Sequence, residues 1–94
     1  IHVSDVFIKH VVELISRTRN NTDVELGASP RAGIALIKGA RARALIQGRD
    51  YAIPDDLFAL AEDVLLHRMR LNYEALADGM NASEVLENIL NNMG

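Results

Sequence analysis

The chain has 94 residues, no cysteine and no tryptophan, and a formal net charge of −3 from 10 basic and 13 acidic side chains. That length makes one domain with a single modest core, and the lack of cysteine removes disulfides and thiolate metal sites and suits a reducing, cytoplasmic setting. An acidic balance argues against a nucleic-acid module, which carries a basic face, and no apolar run reaches membrane-span length or reads as a signal peptide.

The chain opens on Ile1 rather than Met, so residues 1–94 read as one helical domain cut from a longer protein. Ser4 is an N-cap candidate with Asp5 in the first turn behind it. Val3, Phe7, Val11, Leu14 and Ile15 then recur at three- and four-residue spacing, with Ile8 and Val12 widening the stripe, which predicts an amphipathic helix. Arg17 and Arg19 sit near its end, where the helix dipole favours cations. A polar break at 20–23 and an extended Val24-Glu25-Leu26 lead to Gly27.

A second helix is expected from Pro30 to about Gln47, closed by Gly48 at C′. Ile34, Ile37, Ala40, Ala44 and Leu45 form one apolar face, and Ala35, Ala42 and Ile46 lie opposite. A helix apolar on both sides reads as the central one, packed by several neighbours. Its Lys38, Arg41 and Arg43 read as a solvated strip whose stems cover apolar surface.

Residues 48–54 form a turn, and Pro54-Asp55-Asp56 starts a third helix with acids at its positive end. Leu57, Leu60, Ala61, Val64 and Leu65 make its core stripe, and His67-Arg68-Met69-Arg70 closes it with cations. After a turn around Gly79, Asn81 and Glu84 read as a capping box for a last helix carrying Val85, Leu86, Ile89, Leu90 and Met93. The predicted fold is all-α, a small bundle of about four helices with short extended connections.

One charge is out of place. Ser29 reads as an N-cap and Pro30 as the first helical residue, so Arg31 falls in the first turn. The helix end there is positive, and a cation is disfavoured by about 0.3–1 kcal/mol. A phosphate brought near both the arginine and the free N–H groups would reverse that sign.

Other chemistry is missing. His2, His10 and His67 are too dispersed for a metal pair. Asp55 and Asp56 are adjacent, so they point about 100° apart on a helix and read as helix-start acids rather than an acid–base pair. No Gly-rich phosphate loop, nucleophile elbow or dinucleotide fingerprint occurs. The tripeptides Asn20-Asn21-Thr22 and Asn81-Ala82-Ser83 fit the glycosylation pattern by chance.

Four ordered blocks carry a resemblance. Leu26-Gly27-Ala28-Ser29-Pro30-Arg31-Ala32, Gly48-Arg49-Asp50-Tyr51, Pro54-Asp55-Asp56-Leu57 and Leu66-His67-Arg68 together resemble the C-terminal lid domain of MoxR-type AAA+ ATPases. The resemblance implies a helical lid that follows a nucleotide-binding core and covers bound ATP with its Mg2+. It implies that Arg31 is the sensor 2 residue, reaching the terminal phosphate and coupling nucleotide state to lid position. Ala28, Ser29 and Pro30 would then lie at the nucleotide's edge.

The parent protein is implied to be a chaperone-like remodeller of protein complexes that acts as a ring of identical subunits, a hexamer, on a client protein. Walker A, Walker B and an arginine finger are all outside these residues, so the fragment alone is expected neither to hydrolyse ATP nor to hold a cofactor. Arg49, His67 and Arg68 recur in the family pattern and read as turn and helix-end structure, or as contacts to the core or a neighbouring subunit. Ile53 stands where the family often has Thr or Ser, which removes a side-chain cap worth about 1 kcal/mol. The alternative reading is a helical protein- or nucleic-acid-binding module of histone-fold-like character, drawn from the turn into a helix at 48–57. A plain adaptor bundle is a third.

Overall fold

A computed structural model describes residues 2–93. The elements in order are α1 (Asp5–Asn20), β1 (Val24–Leu26), α2 (Pro30–Ile46), α3 (Pro54–Leu65), a 3-10 turn (Leu66–Arg68), β2 (Arg70–Leu71), α4 (Tyr73–Ala77) and α5 (Ala82–Met93). The bundle is all-α as the periodicity indicates, with five helices among the described residues against about four expected, and a two-stranded ribbon.

Helix α1 starts where its cap predicts: the Ser4 hydroxyl accepts the Phe7 N–H at 3.1 Å. Phe7, Val11, Leu14 and Ile15 are its buried stripe, and Ile8 and Val12 lie on an exposed shoulder. At the far end of the chain the Asn81 side chain accepts the Glu84 N–H at 2.9 Å. The Glu84 carboxylate returns to the Asn81 side-chain amide instead of its backbone, so the expected capping box is half formed. Val85, Leu86 and Ile89 of α5 are buried, packed on α1 and α3.

Helix α2 is rotated from its expected orientation. Its buried residues are Ala32, Gly33, Leu36, Ala40 and Ala44, whereas Ile34 and Leu45 are 55% and 66% exposed. It is therefore covered by α1 and α3 on one side and open on the other. The cause is close approach. A Cβ on Gly39 would lie 3.0 Å from the Leu60 side chain, and Gly33 faces Val11 and Ile15 at ordinary contact distance. The small side chains let the helix axes come together, and the larger ones turn outward. Gly48, at φ 75°, ends the helix in the left-handed conformation expected of it.

The cations after α3 do not close it. The helix stops at Leu65, a 3-10 turn intervenes, and Arg70–Leu71 extends to pair antiparallel with Val24–Leu26. Met69 and Leu71 are buried and Arg70 between them is exposed, the period of two that a half-buried strand requires. Asn72 reinforces the junction: its N–H donates to Asp23 O at 2.9 Å, and its side-chain amide donates to Thr22 O at 2.7 Å. Its Oδ1 also caps the unanticipated α4 by accepting the Ala75 N–H at 2.8 Å.

Candidate functional site

The entrance to α2 is built by a pin and a close crossing. Thr18 of α1 is fully buried; its hydroxyl donates to Ile15 O at 2.7 Å and accepts the Ala28 N–H at 3.1 Å. Between them the chain crosses the last turn of α1 so closely that a Cβ on Gly27 would lie 2.6 Å from the Arg19 Cα. Only glycine permits that approach. Ala28 is buried, and the next three residues, Ser29, Pro30 and Arg31, emerge into solvent.

Ser29 is the N-cap residue, as expected, but its hydroxyl makes no capping bond. Its carbonyl takes the Ala32 N–H at 2.9 Å instead, and no acid sits in the first turn of α2. Arg31 is exposed and, among the described residues, makes neither an ion pair nor a side-chain hydrogen bond. The helix start thus keeps both its positive end and a free guanidinium, a combination suited to a phosphate.

Arg19, read from sequence as a helix-end cation, lies at the same corner. It packs over Gly27 and, like Arg31, has no acidic partner among the described residues. With Pro30 it lines one end of a groove of about 580 Å³ between α1 and α2, whose walls include Ile8, Val12, Ile34 and Ile37. Sequence periodicity shows Ile8 and Val12 as shoulder residues, and the packing of α2 on α1 brings Ile34 into the same groove.

A second cluster joins α2 to α3. Asp56 is fully buried and accepts from Arg43 Nη1 at 2.6 Å, from Arg49 Nη2 at 2.6 Å and Nη1 at 2.9 Å, and from the Ile53 N–H at 2.8 Å. Those four bonds fill the acceptor positions of its carboxylate. The Arg49 bonds first, then the Ile53 N–H and Arg43, hold its carboxyl well below the usual carboxylate range, and the same pairing raises the Arg49 pKa. Asp55 remains an exposed helix-start acid, as expected, whereas Asp56 is the hub of a buried ion cluster. The Asp56 N–H that a hydroxyl at position 53 would cap goes instead to the Ile53 carbonyl at 2.9 Å, while the Asp56 carboxylate takes the Ile53 N–H. Arg49 accordingly has a structural place, and Arg43 leaves the solvated strip assigned to it.

Residues 16–89 match the AAA lid domain family. A solved structure from Cytophaga hutchinsonii, of a protein assigned as an ATPase, superposes with a TM-score of 0.92 at 36% identity over 97% of this chain and 30% of its own. The chain is 42% identical over 90 residues to the uncharacterized protein YeaC of Bacillus subtilis, covering 96% of this chain and 28% of YeaC. It is 38% identical over 97 residues to the chaperone MoxR1 of Mycobacterium tuberculosis, covering 94% of this chain and 26% of MoxR1. The chain therefore belongs to the AAA lid domain family and is a lid of the MoxR type. It spans between 26% and 30% of the length of these relatives.

Proposed function

We propose that this chain is the lid over the nucleotide of a MoxR-type AAA+ ATPase, with Arg31 as its sensor 2 residue. The observation that carries the reading is a free arginine on an uncapped helix start, held in place from beneath by Thr18. ATP bound on a preceding core domain would meet this corner through its terminal phosphate, with Ala28, Ser29 and Pro30 at its edge and Arg19 as a second nearby cation. The guanidinium would stabilise charge on the transferred phosphoryl group, as cations do in phosphoryl transfer. The described residues contain no cluster of three metal-binding side chains, so the Mg2+ accompanying ATP would take its ligands from the core and the phosphates.

The parent protein would act as a hexameric ring in the cytoplasm, remodelling client protein complexes in the manner of a chaperone. Among the described residues no helix is long and apolar enough to cross a membrane. The nucleic-acid alternative finds little support: α3 carries four acids and α5 two, and neither has a Lys or Arg.

Steady-state ATP turnover of the full-length protein tests the sensor assignment. Arg31→Ala should lower turnover by about ten- to a hundredfold, the loss expected for a charge-stabilising donor, without changing the unfolding midpoint. Turnover equal to wild type would sink it.

A further inference from the structure

We propose that Arg49 is a positioning residue for Arg31: by holding a backbone clasp on His2, it fixes the angle at which the incoming chain meets α2. The proposal rests on the reading that a nucleotide-binding domain precedes the lid, so that residues 2–4 belong to the stretch joining the two. That stretch is fastened residue by residue. The His2 N–H donates to Asp50 O at 2.7 Å, and His2 O accepts the Ala52 N–H at 3.0 Å, a parallel bridge centred on Tyr51. Val3 packs against the hydrophobic core, and Ser4 caps α1.

The clasp is held from behind by the ion cluster. Along 50–53 the backbone presents its groups to alternate sides, as extended chain does. Asp50 O and the Ala52 N–H face His2, whereas Tyr51 O and the Ile53 N–H face Arg49 and Asp56. Arg49 Nη1 donates to Tyr51 O at 2.9 Å as well as to Asp56 Oδ2, the oxygen that accepts the Ile53 N–H. Arg49 Nη2 donates to Gln47 Oε1 at 3.0 Å and to Asp56 Oδ1, which also takes Arg43 from the last turn of α2. One planar guanidinium thus joins the end of α2, the start of α3 and the strip that grips His2, a spread that the single ammonium of lysine cannot span. The consequence falls at the opposite end of α2. About 18 Å of helix separates Arg31 from Arg43, so a tilt of about 3° moves Arg31 by about 1 Å, and a displacement of that size costs up to about a hundredfold in rate.

The test is steady-state turnover of the full-length protein at saturating ATP, in a double-mutant cycle with Arg31→Ala. Arg49→Lys gives up the planar fork, and His2→Pro removes one clasp bond while leaving the ion cluster untouched; each should lower turnover by about tenfold. In the Arg31→Ala background each should cause less than about a twofold further loss, because a residue that acts through Arg31 has nothing left to position. A lid that is merely destabilised would lose activity by the same factor in both backgrounds. His2→Pro carries the test by itself if Arg49→Lys does not fold. Full turnover in His2→Pro, or equal losses with and without Arg31, overturns the clasp's role and leaves the sensor assignment intact. Arg31→Ala turning over like wild type overturns both.

Discussion

Ala28 N–H donates to the Thr18 hydroxyl across ten residues of sequence, and both partners are buried. This single bond ties the end of α1 to the entrance of α2 and sets where Arg31 emerges. It also satisfies a backbone donor that has no other partner in this loop, so its loss leaves an orphan in the core.

Thr18→Val keeps the shape and removes the acceptor. Unfolding in urea should show a loss of about 1–3 kcal/mol, the cost of a buried unsatisfied N–H, and Thr18→Ser should recover most of it. Because the pin positions Arg31, ATP turnover of the full-length protein should fall with Val and return with Ser.

Gly27→Ala places a methyl group against the α1 backbone at Arg19, at a separation of 2.6 Å that no side-chain rotation can relieve. The crossing must open. The expected cost is about 2 kcal/mol or more, read from the urea midpoint. Gly48→Ala differs, since a Cβ there meets nothing within 4 Å; its smaller cost comes from the positive φ alone.

Removing the hub of the ion cluster leaves two partly exposed arginines without their shared anion. Asp56→Ala should destabilise by about 1–3 kcal/mol, the scale for losing charge-assisted hydrogen bonds whose arginine partners keep some contact with water. Asp55→Ala, at the exposed neighbouring position, should stay within about 0.5 kcal/mol of wild type. Equal effects at the two positions would contradict the geometry described for Asp56.

The same carboxylate gives stability a defined dependence on acid. Its folded pKa lies below that of the unfolded chain, which titrates near pH 4, so the unfolded state binds the proton first. The contribution of Asp56 is complete above that pH and is lost as pH falls below it, toward the folded value. Denaturation midpoints between about pH 6 and pH 3 should decline more steeply for wild type than for Asp56→Asn, with no difference in slope at neutral pH.

The rotation of α2 is open to a direct check by paired substitutions. Leu36→Ala, fully buried, should cost about 2–5 kcal/mol, and Leu45→Gln, largely exposed, should move stability by less than about 0.5 kcal/mol. Reversed magnitudes would mean that the Leu45 face is the inner one.

Local rules made much of this protein legible before any contact was known. Ser4 capped α1, Pro30 and Gly48 bounded α2, and the four-three spacing of Phe7, Val11 and Leu14 named the buried side of α1. Arg31 was conspicuous because a dipole acts within one turn of its own helix. Each of those signals is carried by residues only a few positions apart. The inner face of α2, by contrast, depended on how near α3 could come to Gly39. Asp56 could not be told from Asp55 until Arg43 and Arg49, thirteen and seven residues earlier, turned toward it. Thr18 likewise looked like one more polar residue at a helix end until Ala28 arrived beside it. Sequence alone determined where α1 and α3 begin, where α2 begins and ends and which charge is exceptional; tertiary packing decided where α3 stops, which faces are buried and which polar groups meet, because close approach, strand pairing and ion pairing are properties of neighbours in space.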